Sequence, residues 1–367
     1  MSEYRVPFVD YRKQYLSLKE QLDAAIHRTL GEGNLILRED VAAFERALAE
    51  LVGVRFAVGL NSGTDALIFA LRAAGIGPGD EVVTVAHTFL ATIEAVVHVG
   101  ATPVLVDVGD DYLMDMEAFA AAVTPRTRAV IPVHLNGRVC DMERCLAIAE
   151  RHGIAVVEDA AQALTATFDG GPAGSFGKAA CFSFYPAKLL GAAGDAGALV
   201  TDDPPVEHAA RLLRDHGRET KDSHILYGFT SRLDNLQAAV LNAKLPCLRP
   251  WVERRRLLAR IYDDGLAELR GVRIPPGSDA RHADVYQNYV IRAERRDELA
   301  AHLRASGVEV LISNPVPVHH HPSLGLSHFR LPVTERLARE VVSLPLVPEL
   351  EQDQIRYAVD AVRRFHE

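Results

Sequence analysis

Short apolar runs punctuate the chain between residues 57 and 201: Val82–Ala86, Pro103–Val106, Ala129–His134, Ile154–Val157, Cys181–Phe184 and Ala198–Thr201. Several are continuous instead of alternating, which suits strands buried on both faces of a parallel sheet. Stretches of helical spacing lie between them. Thr64–Ala74 halts at Gly75 and Met142–Arg151 halts before Gly153, as helix C-termini do. The alternation predicts an α/β fold, a mostly parallel sheet flanked by helices.

From about Leu245 the pattern changes. A long Arg- and Leu-rich helix is expected over Trp251–Leu269, then a break at Pro275, Pro276 and Gly277. Strands near Tyr286–Arg292 and Val308–Ile312 follow, alternating with helices. We expect a large domain over residues 1–245 and a smaller α+β domain over 246–367, with the packing of the first stretch of about thirty residues left open. A chain of 367 residues exceeds one ordinary core and is comfortable as two.

Composition excludes several classes. Hydrophobic residues at 48% and charged ones at 24% match an average globular protein. A net charge of −9 argues against nucleic acid, which needs clustered Lys and Arg. The densest basic run, Arg254-Arg255-Arg256, reads as a solvated helix face. No window reaches the apolar length of a membrane span, and Met1 to Tyr11 holds no secretory core. Cys140, Cys145, Cys181 and Cys247 form no CxxC pair. Reduced thiols and a cytoplasmic location are the expectation.

Ligands of open parallel sheets bind beyond the carboxyl ends of the strands, so the polar residues there carry the candidate chemistry. Asn61-Ser62-Gly63-Thr64-Asp65 joins a strand to a helix, where free N–H groups and the helix dipole suit a phosphate. An ordinary capped helix would use the same residues. Asp159 ends an apolar run, where a carboxylate is costly unless a cation meets it. That cation is either a structural base or the protonated ring of a cofactor. Lys188 follows a strand broken by Pro186 and precedes a glycine-rich run. Partial burial there would lower its pKa and free a nucleophilic amine; a surface lysine is the plainer alternative.

Taken in order, the motifs resemble the DegT/StrS group of fold-type I pyridoxal-5′-phosphate (PLP) enzymes, the nucleotide-sugar aminotransferases. The strings are Val6-Pro7-Phe8-Val9-Asp10, Gly63-Thr64-Asp65-Ala66-Leu67, Glu158-Asp159-Ala160-Ala161-Gln162-Ala163, Phe182-Ser183-Phe184-Tyr185-Pro186-Ala187-Lys188, Gly194-Asp195-Ala196-Gly197 and Ser343-Leu344-Pro345-Leu346. The resemblance covers nearly the whole chain. It implies PLP held as a Schiff base on Lys188, with Asp159 on the pyridine nitrogen and Gln162 by the phenolic oxygen. Phe89 would stack on the ring, and Gly63, Thr64 and Ser183 would hold the phosphate.

The resemblance also implies transfer of an amino group from an amino acid, L-glutamate, to a keto group on a nucleotide-linked deoxysugar, with a slight lean to 3-keto sugars. A 4-keto-sugar or cyclitol aminotransferase is the alternative. A non-catalytic PLP- or sugar-binding regulator is the remote one. A homodimer with composite active sites is expected, with the Phe229–Arg232 loop facing the partner's phosphate. Two positions depart from the family pattern: Thr230 stands for the usual Asn of that loop, and Asn314 for an aromatic near His319. The run His319-His320-His321 lacks an acidic or thiol partner at ligand spacing, so no metal site is expected. The resemblance sets His319 near the active-site entrance, and His216-Gly217-Arg218 reads as a loop near the cofactor.

Overall fold

The computed structural model describes residues 4–366; the first three residues and the last lie outside. Seven strands form the main sheet: β1 Phe56–Leu60, β2 Glu81–Val85, β3 Thr102–Val106, β4 Thr127–Val130, β5 Ala155–Asp159, β6 Ala179–Ser183 and β7 Gly197–Thr201. Their order is β1-β7-β6-β5-β4-β2-β3. All pairs are parallel except those of β7, which runs antiparallel to β1 and β6. A parallel neighbour needs a crossover of a dozen or more residues, usually a helix. Only a helix-free loop connects β6 to β7, so the chain reverses.

The strands are buried because helices cover both faces. Helix Gly63–Ala73 buries Ala66 through Leu71 without interruption against the sheet and its neighbours. Ser62 caps it, its Oγ accepting from Asp65 N–H at 3.1 Å. Helix Met142–His152 is capped by Asp141 and ended by Gly153 at φ +64°, a conformation costly for a Cβ-bearing residue.

Several boundaries differ from the sequence expectation, each for a visible reason. The run expected over Ala129–His134 is regular only to Val130, because Pro132 has no N–H to give. Pairing resumes irregularly: Asp159 N–H donates to Pro132 O and His134 N–H to Asp159 O, each at 3.0 Å. Val308–Ile312 forms no continuous strand, since Val308 bridges Val6 while Leu311 bridges Ser343. The long helix spans Leu248–Leu266 and starts before the expected Trp251. Pro250 sits in its first turn, where a missing N–H leaves no bond unmade.

A second, antiparallel sheet joins Val272–Arg273, Tyr289–Ala293 and Val341–Leu344. Its core includes Tyr262, Tyr289, Leu299, Ile355 and, from the N-terminal segment, Val6. Leu248, Val252, Val285, Val290, Leu337 and Val341 instead pack into the core beneath the main sheet. We propose a second domain over residues 246–367 on its own core around Tyr262, Tyr289 and Ile355, with the stretch around Val6 and Val9 lying on it and those six residues packing across the boundary. Among the described residues, no helix is long and apolar enough to cross a membrane.

The basic run is a correction. Arg255 is 4% exposed and donates from Nη1 to the carbonyls of Tyr286, Gln287 and Leu346. Arg254 binds Leu350 O, and Arg256 binds Asp284 O and Glu253. Carbonyls that leave strand ends without partners take these donors. Arg255 is therefore turned inward, while Arg254 and Arg256 stay partly exposed.

Candidate active site

A cavity of about 540 Å³ opens at the carboxyl ends of β1, β2, β5 and β6. It draws together Gly63, Thr64, Phe89, Asp159, Gln162, Ser183 and Lys188, residues expected from sequence to act together. They come from positions up to 125 apart in the chain.

The turn after β1 crowds against β6 and β7. A Cβ on Gly63 would stand 3.0 Å from that of Ser183, and one on Gly197 would lie 2.2 Å from Ser62 C. Glycine at both positions lets the helix N-terminus and Ser183 line one wall. The first-turn N–H groups at Gly63 and Thr64 lack intrahelical partners by construction.

Glu158 and Asp159 sit side by side at the end of β5 and face opposite ways, as strand neighbours do. Glu158 is fully buried and accepts from the N–H groups of Gly174, Phe176 and Gly177 at 2.7–2.8 Å and from His134 Nε2 at 2.9 Å. It braces a loop. Asp159, 7% exposed, faces the cavity. Thr92 Oγ1 donates to its Oδ2 at 2.7 Å, Thr88 and Thr92 share a hydrogen bond at 2.9 Å, and Ala161 N–H reaches Oδ1 at 3.2 Å. Among the described residues no Arg, Lys or His forms an ion pair with this carboxylate. A cationic group entering the cavity would meet a carboxylate with no ion pair to displace.

Lys188 lines the same cavity, in a bend where its N–H bonds Tyr185 O at 2.8 Å. Burial lowers its pKa below the usual lysine value, and attraction to Asp159 offsets part of that. The amine is thus easier to deprotonate than a surface lysine. Asn136 N–H binds Gln162 Oε1 at 2.8 Å, which fixes the amide and leaves its NH₂ end to donate. Phe89 is 66% exposed, an apolar side chain at the cavity mouth left largely open.

Sequence reading missed the Thr88–Thr92 pair. The only available signal was a hydroxyl within an apolar helix start, which is ordinarily unremarked. It also missed Asn314 as a brace: its Nδ2 donates to Thr88 O at 2.7 Å, next to Phe89. A neighbouring cavity of about 260 Å³ continues past Phe89 and Gln162 and is lined by neutral groups, among them His87, Asn136, Asn288 and Asn314. Burial drives the His87 pKa down to about 4, so its ring is neutral.

Other expected residues lie apart. Thr230 is exposed and outside the cavity, its hydroxyl 3.0 Å from His216 Nε2. Next to it, Ser231 is fully buried and donates to Asn61 Oδ1 at 3.1 Å, so the loop is pinned behind the phosphate turn. His319 does not line the cavity. It is fully buried, with Nε2 3.3 Å from Glu335, and His320 Nε2 is 3.6 Å from the same oxygen. An acidic partner for two of the three histidines therefore exists, supplied by a helix distant from sequence ligand spacing.

Residues 16–363 match the DegT/DnrJ/EryC1/StrS aminotransferase family. The chain is 45% identical to a dTDP-3-amino-3,4,6-trideoxy-alpha-D-glucose transaminase from Streptomyces venezuelae, over 99% of this chain and 97% of that one. It is 41% identical to a pleiotropic regulatory protein from Geobacillus stearothermophilus, over 98% of both. A crystal structure of DesV from S. venezuelae superposes with a TM-score of 0.96 at 45% identity, covering 99% of each chain. NtdA from Bacillus subtilis, solved with bound cofactor PMP, gives 0.89 at 29% identity, over 99% of this chain and 86% of that one.

Proposed function

The chain belongs to the DegT/DnrJ/EryC1/StrS aminotransferase family, and from that premise we propose that it moves an amino group from L-glutamate to the 3-keto group of a nucleotide-linked deoxysugar, using PLP. It is an aminotransferase of nucleotide sugars. The 3-keto preference is supported by the relative whose product is a 3-amino sugar.

The observation that carries the site reading is the convergence of a buried carboxylate without an ion pair, a lysine of lowered pKa and a glycine-crowded helix N-terminus on one cavity. These residues fit PLP. Gly63, Thr64 and Ser183 would take the phosphate, and Asp159 the ring nitrogen. Gln162 would donate to the phenolic oxygen and Phe89 would cover the ring face. When bound, PLP supplies an electron sink for the carbanion formed at the donor's α-carbon.

The protein's own work is positioning and proton transfer. Lys188 Nζ would hold the cofactor at rest and, once released, would take the proton from the donor's α-carbon as general base and deliver it to the cofactor's C4′ carbon as general acid. The Thr92 hydroxyl and the Ala161 N–H keep the Asp159 carboxylate aimed into the cavity. Neutral amides and His87 in the adjoining cavity offer hydrogen bonds to a sugar without a competing charge. A homodimer is part of the proposal, with the Phe229–Arg232 loop meeting the partner's phosphate site.

The test is to load the protein with the pyridoxamine form and present 3-keto and 4-keto hexoses linked to dTDP or UDP. Consumption of a 3-keto sugar supports the reading; exclusive use of a 4-keto sugar overturns its substrate half. A regulator without turnover, the alternative that the Geobacillus relative's name raises, would fail to pass an amino group from glutamate to bound PLP in a single turnover.

A further inference from the structure

Gln287 lies on the short segment that leads into the second sheet, far in sequence from the cavity. It is 8% exposed. Its Oε1 accepts from Leu189 N–H at 2.9 Å, and its Nε2 donates to Ala187 O at 2.9 Å. One side-chain amide thus satisfies the peptide groups on both sides of Lys188. A planar amide held at both ends has little freedom left, and neither does the backbone it holds.

The segment carrying Gln287 is itself held. Arg255 donates to the carbonyls of Tyr286 and Gln287 at 3.0 and 3.3 Å. Val285 N–H binds Gly137 O at 3.0 Å, and a Cβ on Gly137 would lie 2.8 Å from Gln287 N. Gly137 follows Asn136, whose N–H fixes Gln162. Residues 285–287 therefore brace two walls of the cavity: the Gln162 wall through backbone packing and the Lys188 wall through one side chain.

We propose that Gln287 is a positioning residue for Lys188, acting by clamping the peptide groups that flank it. The inference rests on the reading of Lys188 as the amine that holds and moves the proton. Without the clamp the bend at Tyr185–Lys188 gains freedom, and the amine leaves its partly buried place beside Asp159 for a better-solvated one. A shift of about 1 Å at a reacting group can cost on the order of a hundredfold in rate.

The experiment uses the full chain carrying Gln287→Leu or Gln287→Asn. In cofactor-free protein, acetic anhydride labelling of Lys188 is followed by peptide mass across a pH series. In loaded protein, kcat and KM for the donor are measured. For Gln287→Leu the labelling midpoint should rise by roughly half a unit or more as solvent reaches the amine. Its kcat should fall about tenfold or more while KM stays within about twofold. Gln287→Asn, which keeps the amide but is one carbon shorter, should fall between Leu and native in both readouts. A native labelling midpoint in Gln287→Leu would overturn the proposal, whatever the rate does. Should Gln287→Leu fail to fold, Gln287→Asn decides by the same two readouts. Failure of both to fold would make Gln287 a core residue and also overturn it. If Lys188→Ala retained turnover, the reading of Lys188 would fall, while the labelling result would still say whether Gln287 sets its environment.

Discussion

Thr92 donates its hydroxyl to the Asp159 carboxylate at 2.7 Å, from the first turn of helix Ala91–His98 to the end of β5. This couples two of the elements that meet at the cavity. A hydrogen bond to a charged group contributes about 1.5–3 kcal/mol, and a carboxylate that loses one of its two donors is both less stable and less well aimed. Thr92→Val preserves shape and removes the donor. It should lower kcat/KM by about tenfold, since 1.4 kcal/mol corresponds to one decade, and Thr92→Ser should restore most of the loss. Steady-state kinetics beside a thermal melt decide it; native kinetics in Thr92→Val would release Asp159 from dependence on Thr92.

Lys188→Ala should abolish turnover and covalent cofactor attachment while the phosphate turn retains some PLP non-covalently. Among the described residues, neither Lys178 nor Lys244 is free to substitute. Lys178 pairs with Asp203 at 2.6 Å, and Lys244 donates to Gly191 O and Gln14. Absorbance of the purified variant and its rate with glutamate are the readouts. Retained yellow colour with turnover would move the chemistry to another amine.

Burial of Lys188 also predicts how stability depends on pH. Its folded pKa is lowered from the ordinary value of 10.5, chiefly by desolvation. Between the lowered value and 10.5 the unfolded chain binds more protons than the folded one, so this group makes stability rise with pH across that window. Lys188→Met fills similar space and carries no such penalty. In cofactor-free protein, the variant should be more stable than native at neutral pH, and the gap should close as pH rises through the window. Urea unfolding across a pH series would measure it. A gap that stays constant with pH would mean that Lys188 is solvated before cofactor arrives.

The candidate site's residues were legible as a set where they lie close to strand ends. Asp159, Gln162, Ser183 and Lys188 sit on strand ends or within a few residues of them, in strings that sequence preserves intact. What sequence could not give is the set of contacts made across the fold. Gln287 meets Leu189 from 98 residues away, and Thr92 meets Asp159 from 67. Nothing in the neighbourhood of either residue marks it. Arg255 was misread for a related reason: a run of three arginines looks solvated, and the carbonyls that draw one of them inward belong to residues 286, 287 and 346. Likewise Val308–Ile312 has strand composition, but its two bridges go to different partners.

Thr230 offers a test of the proposed dimer. Its hydroxyl lies 3.0 Å from His216 Nε2 on an exposed loop that Ser231 pins to Asn61 behind the phosphate turn. Within its own chain it reaches no cavity group. If that loop meets the partner's phosphate, the shorter Thr can contact it only through water or at reduced strength, where the family's usual Asn would reach it with an amide N–H. A neutral donor to a charged phosphate contributes about 1.5–3 kcal/mol, and half of that changes affinity several-fold. Thr230→Asn should therefore slow PLP dissociation several-fold and leave the choice of sugar unchanged. Dissociation rates of both forms, measured with their mass in solution, decide the matter. A monomer that retains PLP fully, or a dimer whose retention is indifferent to the substitution, would place the loop away from the partner's phosphate and leave Thr230 as the partner of His216 alone.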